Sequence, residues 1–294
     1  MKAGKRILLS TYRVATRPYR WLWRSRALRT GTVPVSLLFY HRVAEDSNPW
    51  TIGFADFERQ IDWLQKNFQL VSLNDAQQRI QSGFNDKPCV SITFDDGYAE
   101  NCLRAIPLLL ERKIPFTYFV SWKYIRDQVP FPHDVAFGRP LATNTVESIQ
   151  ALADMGVEIG SHTMSHPDIG KLSDAASLQR EIVDSKSEIE SAIDKPVRYF
   201  AFPYGRQANL TAAAFELGKR AGYLGMCSAY GGYNEIGGDS FHLQRFHGDP
   251  NLDYLKNWLD FDPRVRRVRR FNYFTPQTDK PNSTKRLQYP IRAN

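Results

Sequence analysis

The sequence predicts an α/β fold in which a parallel sheet closes, or nearly closes, into a barrel within one large domain. Seven short β-type runs alternate with helical stretches, which is the pattern of repeated βα units. The 294 residues, 42% of them hydrophobic, suffice for a single sizeable core. The three cysteines lie far apart without a Cys-x-x-Cys pair, which excludes a disulfide framework and a thiolate zinc site. Any metal must therefore be held by histidine and carboxylate side chains.

The predicted strands are short runs rich in β-branched and aromatic residues. They span residues 35–40, 89–94, 116–120, 157–160, 199–202, 222–227 and 241–246. Apolar residues at helical spacing predict helices within residues 54–68, 99–112, 145–155, 174–193 and 211–221. In such barrels the chemistry lies where strands end, at the carboxyl-terminal face, so polar residues just after a strand are the first candidates for function.

Charge is distributed unevenly along the chain, whose net charge is +8. Residues 1–30 contain nine Lys or Arg and no acid, residues 264–294 contain nine Lys or Arg and one Asp, and the centre is left with −9. This divides the chain into a basic leader (1–30), a folded domain (31–262) and a basic, flexible tail (263–294). No nucleic-acid partner is expected for the whole protein, whereas the tails can touch an anionic membrane surface.

No apolar run reaches the roughly 18 residues of a membrane-spanning helix, and the basic residues of the leader interrupt any secretory signal. The expected location is the cytoplasm, where the protein can also make peripheral contact with the inner face of the membrane. A leader that combines arginines with Tyr12, Tyr19, Trp21 and Trp23 can lie flat on a membrane as an interfacial helix. Packing of the leader on the domain, or its solvation beside it, is an equally good interpretation.

The predicted strand 89–94 runs directly into Asp95, Asp96 and Gly97. Both carboxylates therefore lie at the end of a strand, where the chemistry of a barrel is expected. Taken alone, the Asp-Asp-Gly sequence is equally typical of a turn whose acids cap the helix that begins near Tyr98.

His162 and His166 follow the predicted strand 157–160 and are four residues apart. On a short helical or turn-like loop this spacing puts both imidazoles on one side, where they can take two positions of a metal and leave a third to a carboxylate. A chance pair of surface or core histidines is the alternative. Because a barrel brings strand ends together, this motif is expected to meet the carboxylates after strand 89–94.

A third motif surrounds the predicted strand 199–202, with Arg198 at its start and Pro203-Tyr204-Gly205 at its end. Pro and Gly alone indicate an ordinary strand-to-helix turn. In combination with the other motifs, the turn can offer backbone N–H groups to a developing oxyanion, and Arg198 can hold a carboxylate in its ionised form.

Taken in order, Thr-Phe-Asp-Asp-Gly, Ser-His-x-x-x-His and Arg-x-Phe-x-x-Pro-Tyr-Gly resemble the motifs of the polysaccharide deacetylases that carry a NodB-homology domain, over roughly residues 34–249. The resemblance implies a distorted, incomplete (β/α)7-type barrel and hydrolysis of acetyl groups on sugars. It also implies a divalent metal, usually zinc, with cobalt or manganese as alternatives. Residues 37–43 and 54–64 resemble a bacterial branch of the family associated with exopolysaccharide and cell-envelope chemistry.

The resemblance assigns the central roles to the first two motifs. Asp95 corresponds to the catalytic base, and Asp96, His162 and His166 correspond to the metal ligands. Such chemistry suits an amide, whose carbonyl is a poor electrophile: the metal polarises it and lowers the pKa of bound water, and the base takes the proton of that water.

The resemblance also assigns roles around this centre. Arg198 corresponds to the arginine that pairs with the base, and the backbone N–H of Tyr204 corresponds to an oxyanion donor. Pro203 is expected beside the substrate in the same turn. His41, at the end of the first strand, is expected to face the same mouth and to contact substrate.

The chain departs from the most studied members in the late motifs. Those members carry a Leu-x-His motif whose histidine protonates the leaving amine, whereas residues 241–249 here contain His242 and His247. On strand alternation Arg245 and His247 face one way, so His247 is the candidate general acid and Arg245 its partner or a substrate contact. A histidine that only caps or hydrogen-bonds there is the alternative. The Trp and Asp of the family's fourth motif are not evident at residues 231–234.

The predicted function is metal-dependent removal of acetyl groups from N-acetylated sugars of an exopolysaccharide or cell-envelope glycan, or of its precursor. The departure in the last motif leaves a carbohydrate-binding pseudoenzyme as one alternative. Hydrolysis of a small amide or imide on the same barrel is another, because a fold does not fix its substrate. Residues 123–144 form a long connection that is expected to lie beside the site and shape a sugar groove.

Overall fold

The computed structural model describes residues 3–46, 48–248 and 251–274. Its strands are β1 (Ser36–Tyr40), β2 (Arg42–Val43), β3 (Thr51–Ile52), β4 (Gln69–Leu70), β5 (Cys89–Phe94), β6 (Phe116–Val120), β7 (Glu158–Ser161), β8 (Tyr199–Ala201), β9 (Gly225–Ser228), β10 (His242–Gln244) and β11 (Phe246–His247). Its helices are α1 (Ala3–Ala15), α2 (Arg17–Thr30), α3 (Phe54–Asn67), α4 (Leu73–Ser82), α5 (Ala105–Glu111), α6 (Trp122–Asp127), α7 (Pro132–Ala136), α8 (Val146–Asp154), α9 (Ala175–Gln179), α10 (Ser185–Ile193), α11 (Ala212–Arg220), α12 (Leu252–Leu259) and α13 (Pro263–Arg266). All seven predicted strands are present, with ends shifted by up to three residues.

The main sheet is parallel and nearly closed into a barrel, as predicted. Its strands lie in the order β10-β9-β8-β7-β6-β5-β1-β11, with β4 added beside β5. Strands β10 and β11 are two parts of one chain segment, interrupted only at Arg245. The first part pairs with β9 and the second with β1, where Phe39 lies opposite His247. One bent segment therefore joins the two edges of the sheet.

Side chains of β5 alternate between the barrel interior and the surrounding helices. Val90, Ile92 and Phe94 belong to the hydrophobic layer under the helices, whereas the hydroxyl of Thr93 lies inside, within 2.9 Å of the Arg245 guanidinium. Asp95 is the next residue of the inward row. The alternation therefore carries its carboxylate into the mouth of the barrel rather than into solvent.

The helix predicted over residues 99–112 is interrupted in the structure. A 3-10 turn at Ala99–Cys102 precedes α5, and the side chain of Asn101 within this turn is fully buried. Its amide donates to His41 O (2.7 Å) and accepts from Val43 N (2.9 Å). These bonds tie the turn to the end of β1, so the chain bends here instead of continuing one helix.

The predicted leader forms helices α1 and α2, which pack on the body of the protein. Arg20 is buried and donates to Asn257 O (2.9 Å) and Asn257 Oδ1 (2.7 Å), and Trp23 packs edge-on against Phe261 at 4.9 Å. In the C-terminal segment, Tyr273 stacks on Phe215 at 4.2 Å. The division into leader, domain and flexible tail stays a prediction, and residues 275–294 lie outside the described part of the chain. Among the described helices, none has the length and apolar character needed to cross a membrane.

Candidate active site

Three side chains from two strand ends form a compact cluster at the mouth of the barrel. Asp96 follows β5, and His162 and His166 lie in the loop after β7. Asp96 Oδ1 is 3.5 Å from His162 Nε2 and 3.3 Å from His166 Nε2, and one ligand atom of each residue lies within 4.8 Å of the others. Asp96 Oδ1 is buried and accepts no hydrogen bond of normal geometry. An unsatisfied buried carboxylate oxygen beside two imidazole nitrogens is the donor set that a divalent cation such as zinc requires.

The hydrogen bonds of His162 leave its Nε2 available to a metal. Its Nδ1 lies 2.8 Å from Ala201 O at the end of β8, and because a carbonyl only accepts, Nδ1 carries the proton. Burial, the largest influence, lowers the pKa of His162 to about 4, so the imidazole is neutral at neutral pH. Burial opposes ionisation of Asp96, but the neighbouring His166 more than offsets it, and the pKa of Asp96 falls well below its usual range.

A π-helical turn supports the histidine loop from behind. The helix predicted over residues 174–193 contains this turn at Arg180–Asp184, between α9 and α10. It directs the buried carboxylate of Glu181 toward Ser165, which donates to it through its backbone N–H (2.8 Å) and its hydroxyl (2.7 Å). His166 adopts a left-handed backbone conformation, with φ of 58°, and its N–H donates to Thr163 Oγ1 at 2.8 Å. These bonds hold both imidazoles toward Asp96 without a regular helix.

Asp95 is paired inside the barrel with Arg245. The guanidinium donates to both carboxylate oxygens, at 2.6 Å to Oδ1 and 2.9 Å to Oδ2, and also to Thr93 Oγ1 at 2.9 Å. It lies 4.9 Å from the ring centre of Phe39 and 5.2 Å from that of Phe119. Burial opposes ionisation of Asp95, but the charge of Arg245 outweighs it and lowers the pKa of Asp95. Asp95 is therefore an ionised carboxylate in a water-poor site.

The expected pairing of Arg198 with Asp95 is corrected by the structure. Arg198 precedes β8 and thus lies at the amino end of the strands, whereas Asp95 follows β5 at the carboxyl end. The Arg198 guanidinium, which is 44% exposed, pairs instead with Glu158 at the start of β7. The arginine that the sequence analysis treated as a substrate contact, Arg245, holds the base. Strand alternation, which already placed Arg245 with His247, was the signal that could have identified it.

The turn after β8 lies at the mouth. Tyr204 has a left-handed backbone, with φ of 61°, and its ring centre is 5.2 Å from that of His166. Pro203 is buried, and its carbonyl accepts from Gly205 N at 2.6 Å. No group among the described residues accepts a hydrogen bond from the Tyr204 N–H. This donor is therefore available to a substrate oxygen.

His41 and His247 form the opposite side of the mouth. Both are half-buried, and their ring centres are 5.6 Å apart. Both also contact Phe39, at 5.5 Å and 4.9 Å, which places them on the same side as Arg245. Trp50, a residue that the sequence analysis missed, continues the row of rings 5.8 Å from His41.

The long connection 123–144 lies beside the cluster. His133 of α7 has its ring centre 5.8 Å from that of His166 and 6.4 Å from that of Trp50. Its Nε2 lies 3.0 Å from Tyr98 OH, which donates to the buried Asp134 at 2.9 Å. Aromatic rings therefore border the mouth from the His247 side to the Tyr204 side, and they offer flat apolar faces to a ligand.

Comparison with known proteins agrees with this geometry. A sequence model of the polysaccharide deacetylase family matches residues 82–224. The chain is 28% identical to YxkH of Bacillus subtilis (strain 168) over 182 residues, which are 61% of this chain and 60% of YxkH. It is also 28% identical to the chitooligosaccharide deacetylase of Bradyrhizobium sp. (strain ANU 289) over 118 residues, which are 40% of this chain and 46% of that protein. The chain thus spans about half to three fifths of the length of these relatives.

A solved structure matches the fold over a larger part of the chain. The structure of IcaB from Ammonifex degensii superposes with a TM-score of 0.63 and 22% identity, covering 78% of this chain and 97% of that one. At this identity the match supports the barrel fold alone. Residues 82–224 of this chain thus match the polysaccharide deacetylase family, and the order of the motifs and the barrel fold agree with that match.

Proposed function

We propose that this protein is a metal-dependent deacetylase that removes acetyl groups from N-acetylated sugars. The observation that carries the proposal is the buried Asp96-His162-His166 cluster directly beside a carboxylate, Asp95, that Arg245 keeps ionised. A divalent cation held by the cluster, with zinc as the first candidate, would polarise the acetyl carbonyl and acidify water. A general base next to such a site is what amide hydrolysis needs.

In the proposed reaction, Asp95 takes a proton from water as the water oxygen attacks the acetyl carbonyl carbon. Arg245 lowers the basicity of Asp95 but fixes its orientation, because a bidentate pair leaves the carboxylate no rotational freedom. The Tyr204 N–H donates to the oxyanion as the carbonyl becomes tetrahedral. The C–N bond then breaks, the amine leaves with a proton, and acetate is the second product.

His247 is the proposed donor of the proton to the leaving amine. Its half-buried ring lies beside His41 and Phe39 on the Arg245 side of the mouth. His247 is a titratable group separate from Asp95, so the two residues can divide the proton transfers between them, one as base and one as acid. His41 and Pro203 are retained as the proposed substrate-facing residues, whereas Arg245 is fully buried against Asp95 and is no longer proposed to contact substrate.

The proposed substrate is an N-acetylated glycan of the exopolysaccharide or cell-envelope class, or its precursor. The name of the Bradyrhizobium relative, a chitooligosaccharide deacetylase, supports an N-acetylated sugar. The ring-bordered mouth supports a sugar as well, because the apolar faces of pyranose rings pack on aromatic side chains.

The test is acetate release from N-acetylglucosamine oligomers and from acetylated polysaccharides, after chelation and after return of zinc, cobalt or manganese. We expect release only with metal, and we expect Asp95→Asn to abolish it while Asp62→Asn, an exposed change on α3, leaves it intact. Stoichiometric metal binding without turnover of any acetylated glycan would contradict the proposal and favour a binding protein. Turnover of a cyclic imide in place of sugars would instead favour the small-amide alternative.

A further inference from the structure

Helix α2 exposes a row of apolar side chains on the side that faces away from the barrel. Trp21 is 68% exposed, Leu22 59% and Leu28 38%. The opposite side of the helix is anchored, because Arg20, Trp23 and Ala27 are buried at helical spacing. The exposed row is therefore presented by a helix whose other side is part of the fold, and large apolar groups in such numbers usually mark a binding surface.

The apolar row is flanked by exposed arginines. Arg17, Arg24, Arg26 and Arg29 all lie on the solvent side of α2, and no acid occurs in the first 44 residues of the chain. Tryptophan and leucine with arginines beside them are the composition of a helix that lies in the interface of a membrane. We call Trp21, Leu22, Leu28 and these four arginines the α2 surface.

The other basic end of the chain lies against helix α2 beside this surface. Arg266 donates to Tyr19 OH at 3.0 Å, and its guanidinium lies 4.5 Å from the ring centre of Trp23. A groove of about 460 Å³ runs between α2 and this segment. Its walls include two arginines, three large apolar or aromatic side chains and one acid, namely Arg26, Arg266, Tyr19, Leu22, Trp23 and Glu235.

We propose that the α2 surface docks this protein on an anionic lipid bilayer, with the groove beside it receiving lipid headgroups. Positive charge attracts anionic headgroups, and the apolar row gains free energy by entering the boundary between headgroups and acyl chains. A nucleic acid would engage the arginines but would leave the aliphatic Leu22 and Leu28 in water. The acidic centre of the chain disfavours a polyanion that wraps around the body.

The α2 surface and the candidate active site lie at different ends of the barrel. Helix α2 ends at Thr30, and the carbonyl of the next residue, Gly31, accepts a hydrogen bond from Asn85 N shortly before β5 begins. The active-site residues follow the carboxyl ends of the strands. Docking would therefore leave the mouth open to a glycan outside the lipid, and substitutions on the α2 surface leave the active-site residues in place.

The test measures co-sedimentation of the full chain with vesicles of phosphatidylcholine alone and with vesicles of equal parts phosphatidylcholine and phosphatidylglycerol. We expect binding to the anionic vesicles only, and we expect salt to weaken it. Arg17→Gln with Arg24→Gln should weaken binding about 30-fold, since each charge near the surface contributes about 1 kcal/mol. Trp21→Ala with Leu22→Ala should weaken it by about tenfold or more.

The matched control combines Arg59→Gln with Leu103→Ala, at side chains that are exposed elsewhere on the protein. It should bind vesicles as the wild type does, and all variants should keep the same unfolding midpoint. Absence of binding to anionic vesicles overturns the proposal. So does binding that the α2 variants leave unchanged, or tighter binding to duplex DNA that the same variants weaken. None of these measurements depends on acetate release, so the docking proposal and the deacetylase proposal can be refuted separately.

Discussion

Replacing Arg245 by glutamine tests the physical basis of the site most directly. The change removes a guanidinium that donates to both oxygens of Asp95, to Thr93 Oγ1 at 2.9 Å and to Ser228 O at 3.2 Å. Both members of the pair are almost completely buried, so the variant keeps a carboxylate in the barrel without a cation. Removing one partner of a buried pair costs about 3–5 kcal/mol of unfolding free energy at neutral pH.

The pH dependence of this loss has a definite sign. In the wild type the pKa of Asp95 lies below its ordinary value of about 3.9, so the pair contributes its stability above that pH and loses it as the pH falls through the lowered pKa. In Arg245→Gln only burial remains as the main influence, and we expect the pKa of Asp95 to rise above its ordinary value. The folded variant then favours protonated Asp95, so it loses stability as the pH rises through the raised pKa.

Urea unfolding from about pH 4 to pH 8, with chelator present throughout, measures both effects. We expect the difference between wild type and variant to grow with pH, and we expect the double variant Asp95→Asn with Arg245→Gln to recover part of the loss. With metal returned, the acid limb of the acetate-release profile should move to higher pH. A deficit that is the same at every pH, or below about 1 kcal/mol, would refute the reasoning.

Three further predictions concern Arg198, Glu181 and His133. Arg198→Gln should change acetate release by less than about twofold, because Arg198 pairs with Glu158 at the amino end of the strands and not with Asp95 at the mouth; a larger loss of activity would indicate that Arg198 acts at the site. Glu181→Gln should weaken zinc binding about tenfold in a chelator competition, since it loosens the histidine loop, and unchanged affinity would contradict that role. His133→Ala should raise KM for glycan oligomers about fivefold with kcat unchanged, and equal KM across oligomer lengths would contradict a groove beside α7.

Much of the site could be predicted from the sequence because the barrel fold fixes where the ends of its strands meet. Polar residues that follow parallel strands meet at one end of a barrel, so Asp95, Asp96, His162 and His166 were expected together, and the structure brings them together. The shape of the histidine loop was less accessible. Four-residue spacing suggested a short helical or turn-like loop. The structure shows an irregular loop, held by residues with left-handed backbone and by Glu181 from a π-helical turn.

The arginine that pairs with Asp95 could not be identified from the local sequence. Arg198 precedes the predicted strand 199–202 and Arg245 lies within the predicted strand 241–246, and the third motif favoured Arg198 as the partner of the base. Which of them reaches Asp95 depends on the end of the barrel at which each arginine lies and on the side of the strand from which it projects. Arg198 lies at the amino end, and Arg245 lies at the bend between β10 and β11 that joins the edges of the sheet.

The sequence by itself determined the alternation of strands and helices, the strand ends that carry the Asp-Asp and His-x-x-x-His motifs, and the basic character of both ends of the chain. These follow from side-chain chemistry and short-range periodicity. Only the tertiary structure decided that Arg245 holds Asp95, that Trp50 and His133 border the mouth, and that α2 and Arg266 share one surface. Each of these contacts joins residues far apart in sequence, and their meeting depends on the closure of the barrel and the packing of both ends on it.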